Sequence, residues 1–183
     1  MNTIEWIAQI VGIFAMAFNI LSYQQKTRGG AIAFQLVGGL LFSVNFFMLN
    51  AVVGGTLNAI ATVRAVIFLN KEKLHADHPI WLGGFIATFV ATYILSFTVF
   101  GKEPTVLNFV IELLPVIGMT ATTISFRLTD AKSIRKYGLI SSPSWLVYNI
   151  ANFSIGAICC EVMSLCSIII GIFRFDLRKK AVK

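Results

Sequence analysis

Apolar residues run along this chain in seven blocks, and nearly all of its basic residues lie in alternate gaps between them. The blocks are Ile4 to Tyr23, Ala31 to Leu49, Val52 to Leu69, Pro79 to Phe100, Val106 to Phe126, Tyr137 to Phe153 and Gly156 to Phe173. Each approaches the roughly 20 residues that a helix needs to cross a bilayer. None shows the alternation of a barrel strand, and a chain in hydrocarbon must satisfy its own backbone hydrogen bonds, so the pattern predicts helices. Lys26 and Arg28, then Lys71 and Lys73, then Arg127, Lys132, Arg135 and Lys136, then Arg174, Arg178, Lys179, Lys180 and Lys183 fill alternate gaps. The other gaps hold only Asn50, Gly101-Lys102-Glu103 and Phe153-Ser154. The positive-inside rule then puts the N-terminus outside and the C-terminus in the cytoplasm.

Composition agrees: 57% hydrophobic and 13% charged residues exclude an ordinary soluble domain. The net charge of +7 would suit nucleic acid, but its placement between the blocks is topological, so no nucleic-acid partner is expected. The first block has no basic stretch before it and carries Glu5, which is unlike a signal peptide. Cys159, Cys160 and Cys166 all lie in the seventh block, with no histidine near, and read as buried small hydrophobes. His75 and His78 flank Asp77 in a solvated gap. The hydrolase and phosphate-loop signatures are missing, so neither an enzyme, a metal nor a cofactor is expected.

Shifted by 103 residues, the chain matches itself without a gap. Trp6-Ile-Ala-Gln9 falls on Phe109-Val-Ile-Glu112, Met16 on Met119, Phe42-Ser-Val-Asn45 on Trp145-Leu-Val-Tyr148, and Asn58 on Glu161. Polar positions register along with apolar ones, which predicts an ancestral duplication. The expected organisation is a first three-helix repeat over 1–73, a linker helix over 74–103 and a second repeat over 104–183. The linker restores a parallel orientation, giving a seven-span all-α membrane protein with a 3-1-3 plan. Gly38-Gly39, Gly54-Gly55, Gly83-Gly84, Gly118 and Gly156 are expected at close helix contacts, and Pro115 and Pro143 at bends.

Gln9, Asn45, Asn58, Arg64, Glu112, Tyr148, Asn149, Asn152 and Glu161 fall within the blocks. Counting helical rise puts Gln9, Asn58, Glu112 and Glu161 in one layer about 8–10 Å below the surface, with Arg64 deeper. A charge at that depth must be paired, hydrated or neutral, so these side chains should face the bundle interior. Either Arg64 pairs with a glutamate and locks the helices, or the residues line a solvated cavity. Two glutamates that met there would share a proton. Trp6, Trp81 and Tyr23, near block ends, read as interfacial anchors; Trp145 and Tyr148, one turn apart, are packing residues or a stacking wall.

Trp6-Ile-Ala-Gln9, Leu57-Asn58-Ala59-Ile60, Ile111-Glu112-Leu-Leu-Pro115-Val-Ile-Gly118 and Trp145 to Gly156 followed by Glu161 resemble the YgjV-type family of bacterial inner-membrane proteins. That resemblance covers nearly the whole chain and implies a multi-pass protein of the bacterial inner membrane. More distantly, the plan is similar to the SWEET and PQ-loop transporters, whose second repeat helix carries a tryptophan and a tyrosine and whose third carries an asparagine. Trp145, Tyr148 and Glu161, and Phe42, Asn45 and Asn58, have similar spacing. Glu161 replaces an asparagine, and the Pro-Gln pair of the first helix survives only as Gln24-Gln25. The resemblance implies a uniporter or proton-coupled carrier of a small polar solute. Its solute contacts would be Asn58, Glu161, Asn45, Tyr148 and Trp145, with Glu112, Arg64 and Gln9 as charge or proton partners. The alternative is a non-transporting structural, accessory or sensor protein. Partners are the lipid bilayer and the solute, and a homo-oligomer is compatible with either reading.

Overall fold

The computed structural model describes residues 2–22, 28–70, 72–128 and 131–173. Seven helices account for most of them: α1 (Thr3–Ser22), α2 (Arg28–Met48), α3 (Val52–Leu69), α4 (Pro79–Thr98), α5 (Val106–Arg127), α6 (Ala131–Ala151) and α7 (Ile155–Gly171). There is no strand among the described residues. Tyr23, Gln24, Gln25, Lys26, Lys71 and the basic run from Arg174 to Lys183 lie outside them.

The helices start where local chemistry favours it. Pro79 opens α4 at a position whose N–H would be orphaned anyway, and His78 Nδ1 accepts from Ile80 N. Thr105 Oγ1 accepts from Asn108 N at the start of α5. α6 is described from Ala131, six residues before the apolar block at Tyr137, so its first turns carry Lys132, Arg135 and Lys136.

Two tight turns share one construction. Asn50 between α2 and α3, and Phe153 between α6 and α7, take positive φ values of 55° and 52°. In the first turn Leu49 N bonds Asn45 O, Asn50 N bonds Phe47 O and Ala51 N bonds Phe46 O. In the second, Asn152 N bonds Tyr148 O, Phe153 N bonds Ile150 O and Ser154 N bonds Asn149 O. Each of these three bonds of the first turn has its counterpart 103 residues along in the second.

Helix α1 packs on α2 and α7, α3 on α2 and α5, and α6 on α5 and α7, while α4 lies against α3 and α5. The turns, residue 2 and the α4–α5 connection share one end of the bundle, the turn end. The α3–α4 connection, Arg127, Lys132 and Lys136 mark the opposite, basic end. Phe42, Phe46, Leu57, Met119, Trp145 and Tyr148 form the core, whereas Ile4, Ile10, Val63, Ile94, Val110 and Ile170 point outward. That outward apolar surface runs along the helices and is far larger than a soluble monomer exposes. Helices α1, α3, α4 and α5 are each long and apolar enough to cross a membrane. Helix α7 is apolar but shorter, and α6 carries basic residues and serines in its first half.

The glycines divide into two groups. A Cβ on Gly156 would collide with the backbone carbonyl of Gly12, so α1 and α7 touch main chain to main chain. Gly54 leaves room for the Tyr148 ring and Gly118 for the Trp145 indole. Gly83 and Gly84 have nothing within 4 Å, against the expectation of a helix contact there. Pro115 is buried and Pro143 exposed, and both helices run on through them.

Gly156→Ala should therefore wedge α1 from α7 and cost about 1–3 kcal/mol or more, lowering the Tm in detergent by several degrees. Gly83→Ala should leave it unchanged. Equal Tm values for the two variants would contradict the close α1–α7 crossing.

Candidate functional site

At the turn end, side chains of one half of the chain bond to the other. Gln9 Nε2 on α1 donates to Phe153 O at 2.6 Å, and Ile155 N donates to Gln9 Oε1 at 2.9 Å. Gln9 thus satisfies the first free amide of α7, whose own N-cap residue, Ser154, makes no side-chain cap. Tyr148 does the same for α3: Gly54 N, in the first turn, donates to the Tyr148 hydroxyl at 2.8 Å. Asn45 Nδ2 donates to Ala8 O at 2.7 Å, and Ser154 Oγ donates to Asn45 Oδ1 at 2.6 Å. Gln9, Asn45 and Tyr148 are all buried. They close this end.

Glu112, fully buried on α5, forms a 2.7 Å salt bridge to Lys102 Nζ from the α4–α5 connection. It borders a small space of about 40 Å³ shared with Asn50, Val52 and Val53, at the N-terminus of α3. A carboxylate is well placed there by the helix dipole. The Tyr148 hydroxyl lies within electrostatic reach of it.

Below this layer is a cavity of about 260 Å³ between the halves of the chain, with Asn58, Arg64, Ser142, Trp145, Asn149 and Glu161 on its walls. It adjoins a second cavity of about 500 Å³ toward the basic end, and Thr122, Ser141, Ser142, Cys160 and Ser164 line both. Arg64 is 5% exposed. Its Nη1 donates to Thr123 Oγ1 at 2.7 Å and, at 3.4 Å, to Met119 O, and the guanidinium lies 4.7 Å from the Phe126 ring centre. It forms no salt bridge with either glutamate, and its Nε has no partner. The Asn149 side-chain carbonyl, buried in the same wall, is also unpartnered. Glu161 is half-buried, beside the Ser142 hydroxyl.

A family model described as a bacterial inner membrane protein, Imp-YgjV, matches residues 6–179. The chain belongs to this family. No curated protein and no solved structure matches it, and the likeness to SWEET and PQ-loop proteins stands on residue spacing alone. For an inner-membrane protein of the Imp-YgjV family, the outward apolar side chains are a lipid-facing surface.

Of the eight residues expected to act together, Asn58, Arg64, Trp145 and Glu161 meet at the 260 Å³ cavity. Asn45, Tyr148 and Gln9 do not line it; they are committed to helix ends and main-chain carbonyls. Glu112 and Glu161 border separate cavities, so the two carboxyls do not meet. Of the two alternatives for Arg64, the lock with a glutamate does not form; Glu112 pairs with Lys102, which reaches in from a connection that reads as solvent-exposed loop. Asn58 bridges no helices: its Nδ2 donates to Gly54 O of its own helix. Cys159 and Cys166 are exposed, not buried, and Cys160 is half-buried on the cavity wall. Trp6 and Trp81 lie near helix ends as expected, with Trp81 Nε1 donating to Leu74 O. Among the described residues no cluster of metal-ligating side chains occurs. The small hydroxyls Thr122, Ser141 and Ser142 are the sequence signal of the cavity wall that pattern reading passed over.

Lys102→Met should strand the Glu112 carboxylate. With Lys102 about one-third exposed, the loss should stay at or below about 3 kcal/mol, and adding Glu112→Gln should restore much of the lost Tm. Glu161→Gln, with no cation to orphan, should change stability by no more than about 0.5 kcal/mol. A large loss that Arg64→Leu reverses would mean that the two form a structural pair after all.

Proposed function

We propose that this protein is a carrier, not an enzyme, that moves a small polar solute across the bacterial inner membrane by alternating access between two three-helix repeats. The cavity that joins Asn58, Arg64 and Glu161 carries this reading. At about 260 Å³ it has the size of a metabolite rather than of a drug-sized ligand. An inner-membrane protein that keeps a lone buried arginine beside such a space maintains a cost of about 3 kcal/mol in the bilayer, which a packing role does not require.

Several observations support the duplicated plan over 1–73 and 104–183. α1 and α3 begin at 3 and 52, and α5 and α7 at 106 and 155, each 103 further on. The neighbour relations repeat as well: α1 on α2, α2 on α3 and α3 on α5 correspond to α5 on α6, α6 on α7 and α7 on α1. α4, over 79–98, has no counterpart and acts as the linker. Parallel repeats about an axis along the membrane normal can rock around a site between them.

The orientation follows from the charge pattern, with the turn end outside and the basic end in the cytoplasm. The structure is then closed outward by the Gln9, Asn45 and Tyr148 bonds, with its cavity reaching toward the cytoplasm. Transport runs by opening that layer and closing the α5–α7 side; whether a proton moves with the solute is set by Glu161, the carboxyl in the cavity. A structural or sensor role draws on the same bonds, which are also ordinary interhelical glue.

In a background lacking Cys159, Cys160 and Cys166, a cysteine at Glu103 should react with an impermeant thiol reagent added outside whole cells. Cysteines at Glu72 and Lys132 should not. External labelling at Glu72 would reverse the orientation. The reading itself is tested by crosslinking the turn end through a cysteine pair at Gln9 and Phe153, which should abolish solute counterflow in proteoliposomes until the bond is reduced.

A further inference from the structure

The cavity carries two opposite demands on its walls, and together they define the solute class. Arg64 supplies a cationic donor: buried, bonded through Nη1 only to a neutral hydroxyl and a carbonyl, and with Nε–H unpartnered. Asn149 supplies a buried carbonyl with no partner, and Glu161 a carboxyl group. Buried polar atoms are paired in folded proteins as a rule, and an orphan donor and an orphan acceptor on one cavity wall point to a ligand that serves both. The Trp145 ring, edge-on to Tyr148 at 5.8 Å, gives the same space an apolar side.

Three solute classes fail this test. A simple carboxylic acid would satisfy Arg64 but bring its charge to Glu161 and leave the Asn149 carbonyl bare. An amine would satisfy Glu161 and Asn149 but face the guanidinium. A neutral polyol could bond to all three but would bring no opposite charge to either Arg64 or Glu161. A small molecule with an anionic and a cationic group a few atoms apart answers every demand at once. The planar fork of Arg64 suits a carboxylate, and an ammonium supplies the donors that Glu161 and Asn149 accept.

We infer that the cavity binds a small zwitterion of the amino-acid class, its carboxylate on Arg64 and its ammonium between Glu161 and Asn149. This rests on reading the cavity as the carrier's central site, although binding itself can be measured without transport. The lone charges come from different helices, Arg64 from α3 and Glu161 from α7, so a solute holding both would bridge the two halves of the chain.

The test is calorimetric titration of the purified protein in detergent with glycine, L-alanine, L-serine and β-alanine, against propionate, propylamine and glucose. At least one zwitterion should bind tenfold or more tightly than its size-matched acid, amine or sugar. Glu161→Gln, isosteric and half-exposed, should weaken that zwitterion at least tenfold while propionate binds equally or better. Asn149→Ser, checked for an intact Tm, should weaken the zwitterion and spare propionate. The inference is overturned if no zwitterion binds, if propionate, propylamine or glucose binds as tightly, or if Glu161→Gln changes nothing. Zwitterion binding without counterflow in proteoliposomes would keep the site and remove the carrier. Counterflow of glucose alone would keep the carrier and remove this inference.

Discussion

The structure depends on how two helix N-termini are satisfied directly after turns that leave them no cap of their own. α3 and α7 both start directly after a tight turn, and their N-cap residues, Ala51 and Ser154, make no side-chain cap of their own. In hydrocarbon a free amide costs several kcal/mol, so a partner must come from elsewhere in the chain. Gln9 supplies it for α7 and Tyr148 for α3, each crossing from the opposite half. Because each cap lies on a different element, the helices cannot separate at this end without stranding both amides. The same bonds that hold the halves together therefore also form the closed end above the cavity.

Polarity is spent differently on the helix caps and on the cavity. At the turn end most strong demands are met: Glu112 Oε1 by Lys102, Asn45 by Ala8 and Ser154, and Gln9 by the α6–α7 turn, while Glu112 Oε2 has no partner. At the cavity, Arg64, Asn149 and Glu161 share a space and leave two buried atoms unmet. Packing forces alone would have paired or replaced Arg64, because replacing a buried charge with an apolar residue is commonly neutral or stabilising. Thr123 and the Phe126 face soften its burial without neutralising it.

Much of this was legible in the sequence, and the boundary of legibility is physical. Apolar block length located the helices to within a few residues except at α6, whose first turns carry basic residues ahead of the apolar block. Depth counting identified Asn58, Arg64 and Glu161 as interior because rise per residue is fixed in a helix. It could not tell Gln9 from Asn58, since equal depth says nothing about azimuth or about which helix lies opposite. Gln9 faces the start of α7 and Asn58 faces the cavity. Lys102 was invisible for a related reason: a lysine in a connection looks solvated until its stem is seen to fold back onto a buried carboxylate. Gly83-Gly84 misled because a glycine pair signals close approach only where another helix is there to approach.

The positions where the two matching halves differ are those that give the cavity its polarity. Gly12 is matched by Pro115, and the backbone turns at Asn50 and Phe153 are built alike, so the frame is nearly common to both halves. Glu161 is matched by Asn58, and Arg64 by Ser167, so each charge of the cavity has a neutral counterpart in the other half of the chain. A perfectly repeated pair would present a solute with the same group twice and no preferred direction. The divergence leaves one positive wall on α3 and one negative wall on α7. In the proposed carrier, the shared frame would supply two halves able to rock against each other, and the unshared side chains would orient the solute and set its charge. Exchanging the polarity, with Arg64→Ser and Ser167→Arg in one chain, should then cost binding even though the composition is unchanged, because Ser167 lies on the wall of the adjoining cavity and not of the central one. Titration of that double variant, with its Tm as the check on folding, decides whether the position of the charge or merely its presence governs recognition.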